Sequence, residues 1–488
     1  MVNIQMSAEN QDLLSIQEAR DLLKKAAQAQ QELAGYDQTK IDRIIEAMAK
    51  AGYENAGRLA NMAVEETGFG VAEHKILKNQ FATKNVYDYI RDMKTVGIIR
   101  EDKAAKVIEI AEPMGVVVGL IPTTNPTSTL MYKAIISLKS RNSIVFSPHP
   151  RAAKCTLETA RLMEEAAVSA GAPKGVVNCL SIITKEATDE LMHHHITAVI
   201  LATGGSAMVK AAYSAGKPAY GVGPGNVPAF IERTADIKQA VTDILNSKTF
   251  DNGTICASEQ AIITEDIIAE QVMTELKHQG AYFLSEKEVS LIEATVIQPN
   301  GGVNPKVVGQ SPQMIADLAG VKIPENTRVI IARLNGVGKK YPLSAEKLCP
   351  VLAFYIEPDW QKACERCYEL LKYGGIGHSL VIHSQNNDVI MEFALKKPVF
   401  RILVNTPSSQ GAIGLTTGLA PALTLGCGTW GGSITADNVD PLHLINRKRL
   451  AFSLTGTSKS KVTDDEKPNT CFTREEVIRT LEEILKTG

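Results

Sequence analysis

From residue 107 onward, short β-branched apolar runs alternate with stretches in which apolar residues recur every three or four positions. KVIEIAEPMGVVVGLIP reads as strands, TLMYKAIISLKSR as a helix, and NSIVF as a strand ending at Ser147-Pro148. AAKCTLETARLMEEAAVSAG is a helix stopped by glycine, and GVVNCLSII is a strand. AVILATGG is a strand running into Gly204-Gly205, ahead of the helix SAMVKAAYSAG. Strand, helix, strand at this spacing predicts βαβ units and a parallel sheet. A second α/β pattern begins near Val227, where VPAFIE, QAIIT, RVIIARL, LAFYI, SLVIHS and RILVN alternate with helices such as DIKQAVTDILNSK and DWQKACERCYELLKYG. Such sheets bind ligands beyond the carboxyl ends of their strands. Thr124-Asn125, Ser147-Pro148 and Gly204-Gly205 are therefore expected to face one crevice.

The two ends of the chain differ from this body. Ser15 and Glu18 have capping-box spacing and predict a helix starting there and ending near Gly35. A second helical pattern runs from about Ile41 to Ala63 and must absorb Gly52 and Gly57. Beyond residue 454, TGTSKSKVTDDEKPNTC reads as a polar linker over 455–471. FTREEVIRTLEEILKTG, residues 472–488, then resumes helical order, with Thr473 and Glu476 as a capping box. Val477, Ile478, Leu481, Ile484 and Leu485 form one apolar stripe. So short a helix is marginal alone in water, so it is expected to dock on something.

Composition narrows the function classes. The 488 residues are 44% apolar and 22% charged, the balance of a soluble chain with sizeable cores. Lys plus Arg number 52 against 54 Asp plus Glu, without the basic excess of a nucleic-acid binder. No apolar window is long enough for a membrane span. The opening MVNIQMSAENQDLL lacks the basic start and apolar run of a secretory signal, so a cytoplasmic protein is expected. Eight cysteines are too few for a disulfide scaffold. Cys364 and Cys367 form a CxxC, but on a helical pattern with no second pair to complete a zinc site. His193, His194 and His195 read as a solvated helix end, because consecutive helical residues point about 100° apart. No metal is expected.

The segment KTFDNGTICASEQ is the most informative for chemistry. Cys256 follows an Asn-Gly turn, where backbone N–H groups could stabilise a thiolate and an oxyanion formed on it. Taken alone, a free cysteine is more often buried and inert than catalytic. Asn125 precedes a proline at the end of a predicted strand and offers an amide to an oxyanion. GVGPGN is a glycine-rich turn that lets a ligand approach the backbone.

PTTNPTST, RNSIVFSPHPRA, ILATGGSAMVKAAYS, GVGPGN, KTFDNGTICASEQ, GGIGHS and TLGCGTWGG occur in this order. Together they make the chain, over about residues 13–453, resemble the aldehyde dehydrogenase superfamily, and within it the CoA-acylating acetaldehyde dehydrogenases. These include the aldehyde dehydrogenase half of bifunctional aldehyde-alcohol dehydrogenases and the ethanolamine-utilisation enzymes. The resemblance implies an α/β fold with a Rossmann-type dinucleotide domain over 1–225 and a catalytic domain over 226–415. Residues 416–454 would return to the cofactor domain and, with 105–114, build a small β oligomerisation element. It implies the reaction of a short aldehyde, acetaldehyde first, with CoA and NAD to give acyl-CoA and NADH. Cys256 would be the nucleophile and Asn125 the oxyanion-hole amide. Glu346 would hold the nicotinamide ribose, with Leu348 where relatives place an aromatic residue. Thr203, Gly204, Gly205 and Ser206 would sit near the pyrophosphate.

Two departures from the hydrolytic relatives bear on the reaction. Their water-activating glutamate falls where this chain has Gly221, Val222, Gly223, Pro224 and Gly225. A thioacyl-enzyme without that base would await a thiol, and Gly223 and Gly225 would leave room for the pantetheine arm of CoA. Ser147-Pro148 stands where many relatives carry a Lys and a Glu around the adenosine ribose, and subfamily resemblance favours NAD over NADP. His378 matches a histidine proposed to assist thiol attack, or else is structural, and Glu259 is assigned a structural role. The tail resembles peptides that sort enzymes into bacterial microcompartments, or it packs on its own homodimer or higher oligomer. The alternatives are a hydrolytic dehydrogenase giving a carboxylic acid and a non-catalytic microcompartment cargo or scaffold.

Overall fold

Three sheets organise the computed structural model, which describes residues 8–454; the linker and amphipathic tail predicted at 455–488 lie outside the described residues. The first sheet is parallel and five-stranded, in the spatial order Val177–Cys179, Ser143–Ser147, Val116–Leu120, Thr197–Thr203, Ala219–Val222. Val116–Leu120 and Ser143–Ser147 are buried along their whole length. That explains why their sequences run apolar without alternation: helices cover both faces of such a sheet. The crossover helix Pro126–Lys139 is itself buried at every position. Its Lys133 ammonium donates to the carbonyls of Leu120 (2.7 Å) and Leu201 (2.8 Å), tying the carboxyl ends of two neighbouring strands together.

The second sheet is also parallel and has seven strands, ordered Ala281–Phe283, Val329–Arg333, Val351–Glu357, Glu259–Glu265, Val227–Ile231, Gly377–His383, Val399–Val404. Its members include the six apolar runs read from sequence, with the three-residue Ala281–Phe283 added at one edge. The chain passes from the first sheet to the second through residues 223–226. The third sheet is antiparallel, with Val107–Pro113 between Gly97–Asp102 and Ile445–Ala451, and its register runs from Ile445 opposite Pro113 to Ala451 opposite Val107.

Two helical expectations are corrected. The first helix spans Ala8–Leu33, so Ser15 lies inside it and caps nothing. The Ser15 hydroxyl donates to the Asp12 carbonyl and sits 2.6 Å from Thr184 Oγ1. Glu18 accepts from the N–H groups of Ser181 (3.0 Å) and Ile182 (2.8 Å). The polar pair that imitates a capping box thus docks the helix on the 181–184 loop. The pattern from Ile41 to Ala63 is two helices, Gln38–Glu54 and Ala56–Thr67, broken at Asn55 (φ −96°, ψ 7°). There the backbone N–H and the side-chain amide both donate to the Ala51 carbonyl.

Cys364 and Cys367 lie buried on the helix Trp360–Gly374. His193 closes the helix Lys185–His193 in an exposed position. Among the described residues no cluster of His, Cys, Asp and Glu could hold a metal ion, and no helix is long and apolar enough to cross a membrane.

Candidate active site

Four segments meet at Cys256. The first is the loop that leaves Val116–Leu120 and enters Pro126–Lys139, whose N-cap is Asn125. The second is the sharp turn ahead of Cys256, where Asp251 and Asn252 both hold left-handed backbone (φ 52° and 51°). The third is the glycine-rich passage between the two parallel sheets. The fourth brings His378 in at the start of Gly377–His383.

The closest approach is between Gly225 and Cys256. A Cβ on Gly225 would lie 1.8 Å from the Cys256 carbonyl oxygen and 3.2 Å from His378 Cε1, so no residue but glycine fits there. The Gly225 N–H donates to Glu346 Oε1 at 2.9 Å. The passage is therefore wedged between the cysteine backbone and a carboxyl group. Asn226 pins its far end, donating to the carbonyls of Ser344 and Leu370.

This geometry corrects one expectation about the glycines. The space beside Gly225 is taken by Cys256, and that beside Gly221 by Val209 and Tyr213, at 2.7 and 2.8 Å from the position of a Cβ. Of the three, Gly223 alone faces room, with Gly431 O and Cys427 Sγ no nearer than 3.9 Å.

Asn125 is held at both ends of its amide. Oδ1 accepts from the Lys78 ammonium at 2.6 Å, and Nδ2 donates to the Thr254 carbonyl at 3.0 Å and toward Thr124 Oγ1 at 3.2 Å. This places the NH₂ end against the segment that carries Cys256. His378 is fully buried: Nδ1 lies 3.0 Å from Ser379 Oγ, and Nε2 has no partner. Arg401 lies behind it, its guanidinium donating to the carbonyls of His378 and Gly426 and to Asn438 Oδ1.

Burial dominates the electrostatics. It pushes the Cys256 thiol up to about 12, helped by Glu346 and Cys427 and opposed by Arg401. It lifts the Glu346 carboxyl to about 7 against the pull of the Gly225 N–H and of Lys248. Burial and the neighbouring Arg401 charge push His378 down to about 3, so its imidazole is neutral at working pH. Cys256 in the ligand-free protein is therefore a thiol at neutral pH. Its alkylation by iodoacetamide is expected to accelerate about tenfold per pH unit between pH 7 and 10 without levelling off. Mass spectrometry of the Cys256 peptide reads this rate, and a plateau near pH 7 would mean that the thiolate already exists there.

The residues expected at a dinucleotide form a second cluster at the carboxyl end of Thr197–Thr203. Thr203 Oγ1 is buried without a partner, and Gly205 is the N-cap of the helix Ser206–Ser214. No atom lies within 4 Å of where a Gly205 Cβ would be. An orphan hydroxyl, open space and a helix N-terminus suit an anionic dinucleotide such as NAD. Ser147 is differently disposed: its hydroxyl lies 2.8 Å from Thr188 Oγ1, and both it and Pro148 are buried. Glu259 is fully buried, accepting the Ser408 N–H at 2.9 Å.

Sequence reasoning did not find Lys75, Lys78, Asp251 or Arg401. The signal for the lysines was their three-residue spacing in AEHKILKNQ, and for Arg401 a charge inside the apolar run VFRILV.

The aldehyde dehydrogenase family model matches residues 10–283. The chain belongs to that family. This aldehyde dehydrogenase is 45% identical over 442 residues to the bifunctional aldehyde-alcohol dehydrogenase of Escherichia coli strain K12, covering 90% of the chain and 50% of that relative. It thus spans about half the length of the bifunctional relatives it matches. Among solved structures it is similar to an acetylating aldehyde dehydrogenase from Geobacillus thermoglucosidasius, with TM-score 0.90, 53% identity, and coverage of 94% of this chain and 99% of that one. It is also similar to a propionaldehyde dehydrogenase from the fucose utilisation bacterial microcompartment of Clostridium phytofermentans, with TM-score 0.80, 31% identity, and coverage of 89% and 97%.

Proposed function

We propose that this aldehyde dehydrogenase is CoA-acylating. It converts a short aliphatic aldehyde, acetaldehyde first and propionaldehyde second, with CoA and NAD into acyl-CoA and NADH, and it runs in both directions. The observation that carries this reading is the packing of Gly225 on the Cys256 carbonyl, which leaves no place at 225 for a carboxylate that could activate water. The names of the acetylating and bifunctional relatives support it.

Cys256 Sγ adds to the aldehyde carbon, and its thiol proton passes to solvent water as the S–C bond forms. The oxyanion that develops takes the Cys256 N–H and the Asn125 Nδ2 hydrogen that the Thr124 hydroxyl accepts in the ligand-free protein. NAD, when bound, supplies the hydride acceptor. Thr203, Gly204, Gly205 and Ser206 would hold its phosphates, Glu346 its nicotinamide ribose, and Ser147-Pro148 would lie toward its adenosine. The thioester on Cys256 is then attacked by the CoA sulfur, which reaches it past Gly223. His378 Nε2 accepts the hydrogen bond of that thiol, the new thioester forms as the bond to Cys256 Sγ breaks, and the thiol proton passes to the departing Cys256 sulfur, which regains its thiol. The sheet containing Val107–Pro113 and Ile445–Ala451 is assigned to homo-oligomer assembly, and residues 472–488 to docking in a microcompartment. The named origin of the Clostridium phytofermentans relative supports that second assignment.

The test is NADH formation from acetaldehyde with and without CoA, with product identification, on the full chain and on a chain ending at residue 454. Acetyl-CoA made only with CoA, by both chains alike, is the expected result. Steady acetate formation without CoA would replace this reading with hydrolysis. One observation favours that rival: the Glu346 carboxyl, pushed to about 7 and bonded to Gly225, has the protonation balance of a general base. Loss of activity on truncation would assign the tail to the enzyme's own fold.

A further inference from the structure

The helix Ala72–Gln80 carries Lys75 and Lys78 three residues apart, and both side chains are buried. Lysines are rarely buried unless paired, because an isolated buried ammonium is costly. Here both converge on one carboxylate, Asp251, whose Oδ2 lies 2.9 Å from Lys75 Nζ and also accepts from Lys78 Nζ. Asp251 further accepts from the Val71 N–H (2.8 Å) and from Thr254 Oγ1 (2.7 Å), and its own N–H donates to His74 Nδ1 (2.9 Å). It sits at the left-handed turn leading to Cys256, so this network fixes where that turn lies.

From this anchor each lysine reaches the loop that carries Asn125. Lys75 Nζ donates to the Thr124 carbonyl at 2.8 Å, and Lys78 Nζ donates to Asn125 Oδ1 at 2.6 Å. An ammonium has donors only, so the end of a carboxamide it can face is the oxygen. With Oδ1 on Lys78, the NH₂ end must turn the other way, and it lies on the Thr254 carbonyl, two residues before Cys256. The alternative flip would aim an oxygen lone pair at the developing oxyanion and convert a stabilising donor into a repulsive acceptor.

We infer that Lys78 is a positioning residue, which selects the end of the Asn125 amide that faces the acyl site by holding its oxygen from an ammonium anchored on Asp251. Lys78 itself touches neither aldehyde nor cofactor. The inference deepens the proposed role of Asn125 and rests on it.

A double-mutant cycle on the full chain tests it, with kcat and KM measured for acetaldehyde, NAD and CoA. Lys78→Met is expected to lower kcat roughly ten- to hundredfold, with KM for acetaldehyde changed by less than about threefold. In an Asn125→Ala background the same substitution should cost less than about twofold, because the group it acts through is gone. Lys78→Arg keeps a donor for Oδ1 and should recover most of the loss. The rate of Cys256 alkylation, which needs no oxyanion donor, should fall far less than kcat in Lys78→Met, by no more than the loss of the ammonium's field at the thiol accounts for.

Equal losses in both backgrounds would overturn the inference. So would a parallel drop in alkylation, which would assign Lys78 to the thiol instead. If Lys78→Met does not fold, as judged by circular dichroism, the cycle is read on Lys78→Gln with the same requirement that its loss vanish beside Asn125→Ala. A wild-type enzyme that makes no acetyl-CoA would remove the proposed function and this inference with it. An active wild type with additive losses would remove the inference alone.

Discussion

Replacing Cys256 by alanine is expected to bring NADH formation to background, a fall of roughly 10⁴-fold or more. Melting should shift little, because the half-buried thiol contributes no hydrogen bond to another residue and its loss removes few packing atoms. The informative competitor is Cys427, whose sulfur borders the room beside Gly223 and is the other thiol electrostatically coupled to Cys256. With CoA withheld, wild-type enzyme given acetaldehyde and NAD should carry one acetyl group, and peptide mass spectrometry should place it on Cys256. Turnover that persists in Cys256→Ala with acetyl on Cys427 would move the nucleophile to that second thiol.

His378→Ala is expected to separate the two halves of the reaction. A rapid-mixing burst of NADH should remain near wild-type size, because forming the thioacyl-enzyme uses Cys256 and Asn125. Transfer to CoA should slow by about 10²–10³-fold, and the acylated enzyme should accumulate. The reason is the orphan Nε2: a fully buried ring nitrogen without a partner is costly unless it meets one during turnover, and His378 lies beside the Cys256 backbone. The imidazole is held near 3 by burial and by Arg401, so its Nε2 accepts a hydrogen bond from the thiol but cannot store its proton. Any step in the transfer rate between pH 6 and 8 should accordingly persist in His378→Ala, because it arises from Glu346 and the CoA thiol and not from the imidazole. A burst reduced in proportion to turnover would mean that His378 only packs the cysteine in place.

The fold was legible where burial wrote directly into the sequence. Val116–Leu120 and Ser143–Ser147 are covered on both faces, so their centres run apolar without alternation and need no partner to be recognised. Ala281–Phe283 has three residues and shows no period to read. Ser15 and Glu18 misled because their side chains serve a tertiary contact whose spacing coincides with that of a helix cap. At the site, Cys256, Asn125 and Glu346 stood out through local chemistry and family resemblance. Lys75 and Lys78 did not, because a lysine read along a chain defaults to the surface. Their partner Asp251 lies more than 170 positions away, and spacing carries no trace of such a pair.

The contact between Gly225 and the Cys256 carbonyl also limits how this enzyme could change its chemistry. A carboxylate cannot be grafted at 225, because the first carbon of any side chain would displace the peptide that carries the nucleophile. At 223 a first side-chain carbon would meet only ordinary contacts with Gly431 and Cys427. The main chain thus bars position 225 from carrying a water-activating carboxylate, whatever is substituted around it, and a change of acyl acceptor would need a carboxyl from another position.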